Sequence, residues 1–211
     1  MTALTLKSQR ARRRVDEPDN PWTAPTRQGA LTPVEASLAQ PALELAPQPG
    51  VTRPATGLRL PWTTLSADQL AAPLFVVSAH GGAGGSTIAM LSPGWQAVGP
   101  SWPIAPDGEP PVPAILCART SYQGLRAAQA ALTDWASGSV PVRLEGLVLA
   151  AHAPGRLPKQ LHPLRELVRG AAAGRVWEIG WQPQWQLADP VMPRDRVVRD
   201  LFDQLTNRTE D

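Results

Sequence analysis

Leu74-Phe75-Val76-Val77-Ser78-Ala79-His80-Gly81-Gly82-Ala83-Gly84-Gly85-Ser86-Thr87 decides how this chain is read. An apolar, partly β-branched run of four to eight residues has the pattern of a strand buried on both faces. Four glycines and a Ser-Thr pair follow it directly. Strand, glycine turn and helix N-terminus in that order also outline an anion-cradling loop, with backbone N–H groups turned toward a phosphate. A steric reading accounts for the same residues, because only glycine tolerates the dihedrals of a tight strand-to-helix turn. The two readings differ over a ligand, and the rest of the chain bears on which applies.

Outward from the loop, apolar runs alternate with amphipathic stretches. Ser66 to Ala71 predicts a short helix with Ser66 as N-cap, and Leu74 to Ala79 a strand. Ser86 to Leu91 predicts a short helix, and residues 93–113, dense in Pro and Gly, an ordered loop. Ala114 to Ala118 reads as a second strand. Ser121 to Ala136 reads as a helix with Leu125, Ala128, Leu132 and Trp135 on one stripe and Gly138 beyond its end. Leu144 to Ala151 is a third strand, Pro158 to Ala172 a helix, and Arg175 to Ile179 a fourth strand. A closing helix carries Val197, Val198, Leu201, Phe202 and Leu205. This alternation predicts a three-layer α/β domain, with a mostly parallel sheet of about four or more strands covered on both faces. The strand at 74–79 is expected to be central.

The totals set limits. A chain of 211 residues holds one domain of ordinary size. Residues 1–64 carry nine of the 24 prolines and no sustained periodicity. They are predicted to be a disordered or loosely docked arm, with the domain in 65–211. Pro21-Trp22-Thr23 recurs as Pro61-Trp62-Thr63, which makes Trp22 and Trp62 candidate partner contacts. Trp181 and Trp185 in the turn Gly180-Trp181-Gln182-Pro183-Gln184-Trp185 are two more, although tryptophans at spacing four also close the edge of a core.

A net charge of +2 does not by itself imply nucleic-acid binding, and the basic excess is local, around Arg10 to Arg14. No apolar run reaches the roughly 18 residues of a membrane span. With Cys117 alone there is neither an internal disulfide nor a multi-cysteine metal site, and a cytoplasmic protein is expected. Three histidines on different elements lack metal-ligand spacing, so no metal is expected.

In a parallel sheet, ligands bind beyond the carboxyl ends of the strands. His80 and its glycines, Arg119, His152 and Gln182 would therefore share one rim. His80-Gly81-Gly82-Ala83-Gly84-Gly85-Ser86-Thr87 resembles the deviant Walker A loop of the ParA/MinD group of P-loop ATPases, K-G-G-x-G-K-[ST]-[ST]. Ala114 to Thr120, Gly146 to His152 and Val176 to Pro183 resemble later strands of that group. The stretch 74–190 also looks like an actinobacterial family of degenerate MinD-like proteins. The resemblance implies a P-loop fold, with ATP or phosphate binding at residues 80–87.

The departures are specific. His80 and Gly85 replace both lysines, and a histidine substitutes poorly for a lysine charge near neutral pH. No strand ending in Asp lies between the loop helix and Ala114, and Ala151 or His152 stands where the group reads adenine with Asn. Phosphoryl transfer rests on positioning and charge stabilisation, so no ATPase activity is expected and any ATP or phosphate binding should be weak. The resemblance then implies a non-catalytic interaction or scaffold module with a protein partner, in partitioning or DNA-transfer machinery. Two further readings stay open: a nucleotide-sensing switch that binds ATP weakly and homodimerises, and a weak nucleic-acid binder using the Arg10–Arg14 cluster.

Overall fold

The computed structural model describes residues 46–172, 175–187 and 196–206. Its strands are β1 (Trp62–Thr64), β2 (Phe75–Ser78), β3 (Gln96–Gly99), β4 (Trp102–Ile104), β5 (Pro113–Arg119), β6 (Arg143–Ala150) and β7 (Val176–Ile179). Its helices are α1 (Gly85–Ala89), α2 (Tyr122–Ala136), α3 (His162–Ala171) and α4 (Arg196–Thr206). Five strands form an all-parallel sheet in the order β3-β2-β5-β6-β7, and β1 pairs in parallel with β4 in a separate two-stranded sheet.

Two apolar layers cover the sheet. Phe75, Val77, Leu116, Leu147 and Leu149 pack with α2 and α3 through Leu125, Leu132 and Val168. Val76, Ile115, Cys117 and Val148 face the other way, with Ile88 of α1 and Val198, Leu201 and Leu205 of α4. Alternate residues of one strand thus serve opposite layers, as a pleat requires. The three-layer α/β expectation holds, and Val76 and Val77 have no exposed surface.

Three details differ from the sequence reading. β5, not the strand at 74–79, is the middle strand: β3 adds outside β2, and the chain then returns to the other side of β2 to begin β5. Residues 93–113 contain β3 and β4 rather than loop alone. These are runs of four and three residues, and Pro103 is tolerated because β4 pairs only with β1. Ser66 does not cap a helix; its N–H and Oγ donate to Gln69 Oε1 at 2.9 and 3.1 Å, before a 3-10 turn at Gln69–Ala71.

Residues 46–64, assigned by pattern to the arm, lie against the body. The Gln48 N–H donates to the Ala136 carbonyl at 2.9 Å, and Arg53 Nε pairs with the buried Asp134 at 2.6 Å. The Arg53 guanidinium also lies over the Trp62 ring, 5.6 Å from its centre. Periodicity missed this segment because prolines, a 3-10 turn (Thr56–Leu58) and a three-residue strand give it no regular face. Trp22 and the Arg10–Arg14 cluster lie outside the described residues.

Candidate functional site

The order of the sheet reverses between β2 and β5, the switch point where open α/β sheets form a crevice. The carboxyl ends of these strands carry His80 with the glycine loop and Arg119 with Ser121. β2 enters the loop through the Ala79 N–H, which donates to the Cys117 carbonyl at 2.8 Å. Gly82 and Gly84 have φ of +76° and +95°, a left-handed backbone that other residues rarely adopt. Gly85 is close-packed for a different reason: a β-carbon there would collide with the Ser78 hydroxyl as it now stands. Ala83 between them is buried, and its N–H donates to the His80 carbonyl at 3.2 Å. The amides of Gly84, Gly85 and Ser86 have no acceptor among the described residues.

His80 is held at both ring nitrogens. Nε2 accepts from the Arg119 N–H at 3.3 Å and Nδ1 lies 2.7 Å from the Gly81 carbonyl. His80 is therefore a wedge between the loop and the end of β5. Gly124, in the first turn of α2, makes room for it, since a β-carbon there would meet the Arg119 carbonyl and the His80 ring.

The cation at the loop is Arg119. Its Nε donates to the Gly82 carbonyl at 3.3 Å and its Nη1 to the Ala151 carbonyl at 2.9 Å. The guanidinium thus spans from the loop to the end of β6, with its Nη2 3.8 Å from the β-carbon position of Gly84. α2 begins beside it, where Ser121 Oγ accepts from the Gly124 N–H at 3.1 Å.

His80, Gly81, Gly82, Arg119, Ser121, His152 and Trp181 line a shallow cavity of about 350 Å³. Ser121 and His152 also line a larger cavity of about 570 Å³ beyond the ends of β6 and β7, with Leu149, Leu157 and Ile179 among its apolar walls. Arg156 stands there without an ion pair among the described residues, whereas Arg165 is paired with Glu166 and Glu178.

The structure brings Arg119, His152 and Trp181 together at the rim with His80, Gly81 and Gly82, but not Gln182, which accepts from Gln184 Nε2 at 2.7 Å. Ser86 and Thr87 lie in α1 and do not line the cavity. Trp185 packs partly buried against the α1 and α4 layer, and Trp62 is 49% exposed under Arg53. The sequence reading missed the Arg119 bridge; its only signal was an arginine directly after an apolar strand.

No acidic residue lines the smaller cavity. β3 and β4 run into Pro100 and Ala105, and no group of three His, Cys, Asp or Glu side chains able to hold a metal occurs among the described residues. Cys117 lies inside the sheet, where burial pushes its thiol well above the usual range while the Arg119 charge partly opposes the shift. Reactive cysteines sit in exposed, electropositive places, which this one does not. No described helix is long and apolar enough to cross a membrane. No protein-family model, curated protein or solved structure matches the chain.

Proposed function

We propose that this chain is a non-catalytic relative of the ParA/MinD-like P-loop proteins that acts as a protein-interaction or scaffold module. The observation that carries the reading is the Arg119 bridge from the Gly82 carbonyl to the Ala151 carbonyl. A catalytic loop keeps its mouth free for phosphates and brings a lysine and a metal-holding carboxylate to them. Here the chain's own guanidinium crosses that mouth, no carboxylate lines it, and Gly85, in the place of the second lysine, packs against the Ser78 hydroxyl.

Affinity capture from native lysate on the immobilised full chain tests the reading, alongside a phosphate-release assay with Mg²⁺ and ATP. A stoichiometric protein partner whose capture ignores nucleotide, together with no Mg²⁺-dependent turnover, is expected. Turnover that survives repurification and is lost in Gly84→Val refutes the non-catalytic part. Absence of any stoichiometric protein refutes the interaction part.

A second reading, a switch that binds ATP weakly and dimerises, has one observation in its favour. The His80–Gly82 end of the glycine loop lines a cavity that shares Ser121 and His152 with the larger one beside it. A melting shift of a few degrees with ATP, enhanced by Mg²⁺, would favour the switch.

A further inference from the structure

α2 buries one stripe in the sheet and leaves its flank open. Leu125, Ala128, Leu132 and Trp135 face the core. Tyr122, Arg126, Ala130 and Thr133, at helical spacings of four and three, line a groove of about 560 Å³ against the 54–60 segment. Leu58 and Tyr122, exposed by 58% and 62%, stand among its walls. Ala127 and Ala130 keep the α2 side shallow, and Gly57 has open space where a β-carbon would stand.

The charge of this groove has one sign. Arg59 spends Nε on the Pro54 carbonyl at 2.7 Å and Arg126 spends Nη1 on Gln129 Oε1 at 2.7 Å. Neither makes an ion pair among the described residues, and no Asp or Glu lines the groove. Two guanidiniums with donors to spare, set among apolar walls, match a segment that presents carboxylates beside apolar side chains. Phosphate chains match less well, because Leu58, Leu60 and Ala127 offer them nothing.

We propose that the groove between α2 and the 54–60 segment is a docking site for an acidic, apolar-studded peptide segment of a protein partner. This rests on the interaction-module reading and places its contact in a groove other than the loop cavity, with Gln123 on the wall of both.

Phage display of random 12-residue peptides against the full chain tests it, with enriched peptides remeasured by fluorescence polarisation. Peptides carrying Asp or Glu with Leu, Ile or Phe are expected, losing at least ten-fold in affinity on Arg126→Glu and on Ala130→Trp. The second variant fills the groove without changing its charge, and melting curves verify that both fold. Acidic peptides with lysine in place of the acids should bind at least ten-fold more weakly. Enriched peptides that lack acids, or that bind both variants unchanged, overturn the groove while leaving the interaction reading intact. A 12-nucleotide single strand that displaces the peptides and binds more tightly overturns it in favour of nucleic acid. No enrichment at all overturns it too, and capture of a native partner in the separate lysate experiment then shows whether the broader reading survives.

Discussion

Gly85 lies so close to Ser78 that a β-carbon at position 85 would occupy the place of the Ser78 hydroxyl. The contact joins the first residue of α1 to the last residue of β2. In a loop of this outline a lysine at residue 85 would reach for phosphate. Here the neighbouring strand has taken up the space its first side-chain carbon needs.

Gly85→Ala should therefore forgo the stabilisation of about 1 kcal/mol that alanine normally brings to a helix. Removing the hydroxyl in Ser78→Ala should restore it, giving a favourable coupling of about 1 kcal/mol in a double-mutant cycle read by urea melts. Additive effects would mean that the hydroxyl simply turns away. For the same reason Gly85→Lys alone should gain no ATP affinity, and the double variant is the proper test.

Two other glycines differ in whether their clash can be relieved. A β-carbon on Gly146 meets the Trp177 ring and the Arg175 carbonyl, and one on Gly124 meets the Arg119 carbonyl. Overpacking of this kind costs about 1–3 kcal/mol. Trp177→Leu should recover part of the loss in Gly146→Ala, whereas His80→Ala should recover little in Gly124→Ala, because backbone does not move aside. Equal rescue in thermal melts would contradict the packing described.

Asp134 is fully buried with Arg53 as its ionic partner among the described residues, and its second oxygen has no hydrogen bond there. Breaking a buried pair from one side costs about 3–5 kcal/mol, toward the low end here because Arg53 is partly exposed. Arg53→Ala should approach that loss in urea titrations, and Arg53→Ala combined with Asp134→Leu should regain much of it. A loss under about 1 kcal/mol for the single change would show that the carboxylate is stabilised otherwise.

Cys117 gives the pH dependence. Burial raises its thiol, so the folded chain keeps a proton that the unfolded chain releases at about pH 8.5–9. This contribution is intact below that range and is lost as pH rises, at about 1.4 kcal/mol per pH unit. Cys117→Ala should remove that part of the alkaline slope in denaturant melts at pH 8 to 10. The native thiol should also resist a thiol reagent until the sheet opens.

The layers were legible because burial on two faces writes itself as unbroken apolar runs, as in Phe75 to Val77, and burial on one face as the Leu125, Ala128, Leu132 stripe. Gly138, with φ of +75° after α2, could likewise be read from position alone. The strand order could not, since nothing local tells β3 to add outside β2. At the rim, a lone arginine after an apolar run does not announce that its guanidinium will reach carbonyls 37 and 32 residues away. β1 and β4 were missed because three-residue runs have no period.

Arg53 and Asp134 stand 81 residues apart in the chain. During synthesis at about 5–20 residues per second, Arg53 leaves the ribosome roughly 4–16 s before its partner does. β1 likewise waits for β4. Residues made first are thus seated late, over a sheet whose β2 and β5 can already have met. Through that interval the 54–60 segment has no α2 to lie against, and the helix, once made, finds this border already waiting.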